Sequence, residues 1–65
     1  MKISYFESTD TLYIGLNAAT IAETRDFGEN IIFDFAEDGN ICAITIEHAS
    51  KQAGMPQLSY EQIRA

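Results

Sequence analysis

A chain of 65 residues with ten acidic residues, four basic ones, a net charge of -6 and a single cysteine has room for one thin core and can build neither an intrachain disulfide nor a four-thiolate zinc site. Its basic residues, Lys2, Arg25, Lys51 and Arg64, are scattered, so direct nucleic-acid binding is not expected, whereas a basic protein would be attracted. No apolar run approaches the roughly 20 residues that span a bilayer, and Met1-Lys2-Ile3-Ser4 lacks a signal peptide's basic and apolar regions, so the expectation is a cytoplasmic protein without membrane contact.

The first predicted strand is Lys2 to Phe6, with Ile3 and Tyr5 on one face. Glu7-Ser8-Thr9-Asp10 follows as a turn, because short polar side chains there bond to nearby backbone. Thr11 to Leu16 alternates Leu12, Ile14 and Leu16 against Thr11, Tyr13 and Gly15, a second strand. After an Asn17-Ala18-Ala19 loop, Thr20 to Phe27 reads as a polar third strand. Ile21, Glu23, Arg25 and Phe27 are placed on one side of it and Ala22 and Thr24 on the other, a pattern that belongs at an edge or across an exposed face.

Gly28-Glu29-Asn30 turns the chain into Ile31-Ile32-Phe33-Asp34-Phe35, apolar on both faces except at Asp34, the mark of a central strand. Asp38-Gly39, within Ala36-Glu37-Asp38-Gly39-Asn40, supplies the positive φ angles of a tight hairpin. The fifth strand, Ile41 to Ile46, reads as apolar on both sides. A short helix over Glu47 to Ala53 is stopped by Gly54 and Pro56. The spacing of Ser59 and Gln62, with Tyr60 and Ile63 on one face, suits a capping box and a second short helix.

The expected fold is therefore α+β, mainly β: an antiparallel meander of four to five strands followed by one or two short C-terminal helices. Residues 1–53 form a single domain and residues 54–65 a tail or short helix. Strands apolar on both faces need two covers, and a two-turn helix supplies one at most. With disulfides and structural zinc ruled out, association with another chain is the expected source of the missing burial, and a homodimer is the default. Cys42 is expected to be a buried thiol.

The residues Tyr5, Asp10, Leu12, Tyr13 and Ile14, then Glu23 and Thr24, then Ile32, Asp34 and the Glu-Asp-Gly of 37–39, and Ile46-Glu47 leading into Ala49-Ser50-Lys51, resemble the small bacterial family named domain of unknown function 2283. The resemblance runs from residue 1 to about 51. It implies a short acidic cytoplasmic protein and an antitoxin-like role beside small basic proteins, with no assigned activity. This chain departs from the pattern at Ala43, where glycine is usual, and at His48, where aspartate is common.

Asp34 is the most unusual residue, a carboxylate in an apolar strand. Burial would raise its pKa toward that of an acid catalyst. The plainer reading has it facing solvent, capping backbone or pairing with Arg25. Glu47, His48, Ser50 and Cys42 lack the convergence that nucleophilic catalysis needs. A calcium loop starting at Asp34 would have Ala36 and Thr45 at two ligand positions, and a single His and a single Cys make a poor transition-metal set. Glycine-rich phosphate motifs are absent, and no cofactor is expected. Tyr5, Tyr13 and Tyr60, without basic residues between them, suit packing more than base stacking.

Protein recognition is the preferred function. Glu23, Asp26, Glu29, Asp34 and Glu37 are the candidate partner-binding residues, and the partner is a second copy, a small basic protein, or both. The alternatives are a small metal-dependent or hydrolase-like enzyme using Asp34, Glu47 and His48 across a dimer interface, and a purely structural dimerisation module.

Overall fold

The computed structural model describes residues 1–53, 57 and 59–64. Among them five strands form one antiparallel sheet, β1 (Lys2–Phe6), β2 (Thr11–Gly15), β3 (Ile21–Phe27), β4 (Ile31–Ala36) and β5 (Ile41–Glu47), followed by one helix, α1 (Ala49–Ala53). The mainly β antiparallel architecture expected from the sequence is the observed one. The strands lie in the order β1-β2-β5-β4-β3. A local β1–β2 hairpin and a local β3–β4–β5 meander are thus joined by a β2–β5 seam, in which Leu12 lies opposite Ile46 and Ile14 opposite Ile44.

Pairing register decides which side chains share a face, since successive residues of a strand alternate. One face carries Tyr5, Leu12, Ile46, Ile31 and Phe27 across the five strands, with Ile3, Ile14, Ile44, Phe33 and Arg25 as the next row. Phe35, Glu23 and Ile41 extend it at one end. The opposite face is mostly small or polar, with Tyr13 and Ile32 as its large members: Ser4, Tyr13, Thr45, Ile32 and Asp26, then Lys2, Gly15, Ala43, Asp34 and Thr24. The sequence reading of β4 and β5 as apolar on both sides is therefore revised, because Asp34, Ala36, Ala43 and Thr45 make the second side a mixed one.

Two bulges change the faces predicted by simple alternation. On β3 the register slips between Ile21 and Glu23, so Ile21, opposite Ala36, leaves the side it was expected to share with Glu23, Arg25 and Phe27. On β5 the slip lies between the pairs Asp34–Ala43 and Phe35–Ile41, making Cys42 the extra residue. A bulge adds one residue to one strand and bends it. Neither leaves a local signature in the sequence.

The β4–β5 turn forms where Asp38-Gly39 announced it, with a correction: only Gly39 has positive φ, at 90°. Gly39 N–H donates to Ala36 O at 3.0 Å and Ala36 N–H to Asn40 O at 2.8 Å, the bonding of a three-residue loop with a left-handed third position. Gly39→Ala should cost about 1–2 kcal/mol, the usual penalty for an L side chain in that region, measured by urea denaturation. A cost near zero would mean that the loop can adopt another turn type.

The helix begins two residues later than expected. Glu47 ends β5, and His48, at φ 55°, reverses the chain before Ala49. The second helix anticipated around Ser59 to Ile63 does not form: residues 59–64 are irregular and exposed. The stop signal at Gly54 and Pro56 lies outside the described residues. β3 is an edge strand, exposed along all seven of its residues.

Candidate functional site

The tightest polar cluster is built around Asp10, the last residue of the β1–β2 turn. Its backbone is left-handed, φ 53°, a region that Asp and Asn tolerate better than most residues because their short side chains bond locally. In that conformation the carboxylate meets β1 on one side and the start of α1 on the other. Tyr5 Oη donates to Oδ1 at 2.6 Å, Ser50 N–H to the same oxygen at 3.0 Å, and Ser50 Oγ to Oδ2 at 2.7 Å. The Asp10 carbonyl also accepts from Ala49 N–H at 2.9 Å. One residue thus satisfies two of the orphan donors at the start of α1, a cap supplied from another element.

These bonds set the electrostatics of the cluster. The Tyr5 hydroxyl, followed by Ser50, holds the Asp10 carboxyl below its ordinary range, and the Asp10 hydrogen bond pushes the Tyr5 phenol above its own. A carboxylate stabilised in this way is a weak base. Ser50 Oγ spends its proton on it, so the cluster fastens the helix to the sheet and does not activate a nucleophile.

His48 turns elsewhere. Its Nδ1 lies 2.9 Å from Asn30 Oδ1, a contact that requires the proton on Nδ1. Asn30 O accepts from Glu47 N–H at 2.7 Å. Cys42 is buried near the other end of β5, about 20 Å from His48 by strand rise. Asp34 and Glu47 are four residues apart in the ladder, opposite Ala43 and Thr11 respectively. The enzyme constellation of Asp34, Glu47 and His48 is therefore not assembled within one chain, and no group of three potential metal ligands gathers among the described residues.

The proposed partner-binding acids are placed in three settings. Asp26 and Asp34 share the small, polar face; Glu23 stands on the apolar face; Glu29 and Glu37 sit in the turns at opposite ends of β4. Asp34 accepts from Thr24 Oγ1 at 2.7 Å, and it is Glu23 that pairs with Arg25, at 3.0 Å. Arg25 in turn lies over the Phe35 ring, 5.4 Å from its centroid.

The larger feature is the apolar face itself. Among the described residues only Cys42, Ala43 and Ala49 are buried, and no large side chain is. Phe27 is 69% exposed, although its ring packs edge-on against Phe33 at 5.8 Å, and Phe33 packs in turn against Phe35 at 6.3 Å. These rings, with Arg25, Asp26 and Ile41, line a shallow groove of about 290 Å³. α1 is anchored at its first turn by Asp10.

Among the described residues the molecule is thus a small acidic protein built on a single sheet, with one apolar face on which no large side chain is buried and a carboxylate clamp at one corner. The chain belongs to the family described as Protein of unknown function (DUF2283), whose model matches residues 2–50. Neither a curated protein nor a solved structure matches it. The departures from the family pattern acquire physical reasons: His48 occupies a left-handed position that aspartate also suits, and Ala43, 1% exposed, stands where little more than glycine fits. The sequence points to Tyr5, Asp10 and Ser50 separately, in the first strand, in its turn and beside the discounted nucleophile set, and brings them together only as parts of the resemblance. Their convergence had one local cue, the turn ending at Asp10.

Proposed function

We propose that this chain is a protein-binding module that buries the apolar face of its sheet against a second copy of itself and presents an acidic exterior to a small basic protein. The observation that carries the reading is the lack of any buried large side chain in a five-stranded sheet. A compact monomer of this mass exposes about 4,100 Å², whereas this chain exposes 5319 Å². Part of the excess belongs to the exposed, irregular run 59–64, and a standard interface takes ~800 Å² from each partner.

Charge favours a second copy as the occupant. On the apolar face the charged side chains are Glu23 and Arg25, which neutralise each other. Two such faces can meet without net repulsion, although each whole chain carries -6. The opposite face, with Asp26 and Asp34, would repel its own copy and attract a cation-rich partner. The antitoxin-like role implied by the family resemblance has this form.

Sedimentation equilibrium over a dilution series tests the first half of the reading. The full chain should associate wherever it is folded, with a melting temperature that rises with concentration. Ile41→Asp, at a position on β5 already 37% exposed, should halve the mass while leaving the circular dichroism of a sheet. A stably folded single chain in the unsubstituted protein would overturn the reading. Copurification at low and high salt tests the second half: a stoichiometric basic partner released by salt is expected, and repeated recovery of the chain alone counts against it.

A further inference from the structure

We infer that the free edge of β3 is a second self-association surface, through which two copies pair antiparallel about Thr24 to form a continuous ten-stranded sheet. The inference goes beyond the face-to-face contact and does not depend on it.

The strand reads Ile21-Ala22-Glu23-Thr24-Arg25-Asp26-Phe27, and its sheet partner occupies one side only. An exposed edge carries a row of unpaired backbone donors and acceptors, and proteins blunt it with charged side chains, prolines or bulges. Of the three charges on this strand, Glu23 and Arg25 have opposite signs and stand symmetrically about Thr24, while Asp26 meets Ala22 in the same register. In an antiparallel pairing with Thr24 on a two-fold axis, Glu23 lies opposite Arg25 of the second copy, Thr24 opposite Thr24, and Arg25 opposite Glu23. Directly opposed unlike charges stabilise a ladder, whereas like charges oppose it. The pairing is isologous and closes on itself, as a two-fold contact must.

Three observations fit that register. Glu23 to Phe27 pair regularly with β4, and the bulge lies beyond them at Ala22, so the central stretch is extended enough to accept another strand. Arg25 is held in place by the Phe35 ring at 5.4 Å and by Glu23, which lowers the ordering cost of a new pair. Its guanidinium has five donors and can serve a second carboxylate while keeping the first. The other edge of the sheet has no such symmetry: β1 aligned on itself about Ser4 would set Lys2 opposite Phe6 and Ile3 opposite Tyr5, with no charge pair.

The edge and face contacts are compatible. The edge axis runs perpendicular to the sheet and the face axis lies in its plane, so together they generate a tetramer with D2 symmetry, two ten-stranded sheets stacked on their apolar faces.

Charge reversal with a compensating swap tests the edge. Because Glu23 and Arg25 also stand on the apolar face, the edge is read with the face contact already removed. The unsubstituted chain should sediment as four copies and Ile41→Asp as two, held through the edge alone. Adding Arg25→Glu to Ile41→Asp should give single chains, because Glu23 and the new glutamate then oppose each other, and adding Glu23→Arg as well should restore two. If the face contact fails and the edge holds, the unsubstituted chain sediments as two and Arg25→Glu as one. An Ile41→Asp chain that sediments singly, one whose mass Arg25→Glu leaves unchanged, or a swap that stays single overturns the edge pairing. Positions 23 and 25 are exposed, and a sheet spectrum retained by each variant separates lost association from lost folding.

Discussion

Asp10→Ala should lower the melting temperature by on the order of 10 °C, a large effect for a domain of this size. The substitution removes the acceptor of Tyr5 Oη, Ser50 N–H and Ser50 Oγ. It also places an alanine at φ 53°, where a β-carbon is strained. Asp10→Gly relieves the strain without restoring an acceptor, and Asp10→Asn keeps a carbonyl acceptor and tolerates the backbone. The expected order of stability is Asp, then Asn, then Gly, then Ala. If Asp10→Ala melts with the unsubstituted chain, the clamp contributes nothing and α1 is held by other means.

The same cluster predicts a pH window. The folded pKa of Asp10 lies below its ordinary 3.8, so the carboxylate's contribution is complete above that value and disappears as the pH falls through the depressed one. The Tyr5 phenol is raised above its ordinary 10.0. Its share is present below 10.0 and is lost as the pH climbs through the raised value. The difference in melting temperature between the unsubstituted chain and Asp10→Asn should thus be widest on the plateau and shrink toward the acid limb.

Ala43→Leu should cost about 1–3 kcal/mol by overpacking. Ala43 lies on the strand at the centre of the sheet, between Gly15 and Asp34, and is 1% exposed. The neighbouring Gly15 shows how little space remains, because a β-carbon there would come 3.1 Å from Tyr13 Cε2. A leucine at 43 has to displace Tyr13 or bend β5. Ala43→Gly loses less, about 0.5–1 kcal/mol of backbone entropy. Urea denaturation of both variants checks the ordering, and a leucine better tolerated than a glycine would show that the small, polar face has room to rearrange.

Much of the local structure could be read from the residues. Leu12 and Ile14 alternate with Thr11 and Tyr13, and the strand lies there; Gly39 turns the chain where Asp-Gly promised; the charges of β3 put it at an edge. Each of these is settled by neighbours within a few positions. Strand order is not, because β5 lies between β2 and β4 only once Leu12 has met Ile46 across more than half of the chain. The bulges at Ala22 and Cys42 depend on how two strands slide past each other, and they altered which face Ile21 serves. The Asp10 clamp escaped for the same reason, since Tyr5 and Ser50 are far apart until the sheet has formed. Asp34, singled out as chemically odd, has a plain partner in Thr24, a cross-strand neighbour that register alone reveals.

The central position of β5 also governs how the molecule comes into being. Every hydrogen-bonded link between the first hairpin and the rest of the sheet runs through it. A nascent chain that has emerged only as far as Asn40 holds two separate hairpins, and an isolated hairpin is at best marginal in water. Assembly must therefore wait until Glu47 has cleared the ribosome, making it a single late event. A premature stop anywhere before that residue leaves nothing for the earlier strands to gather around.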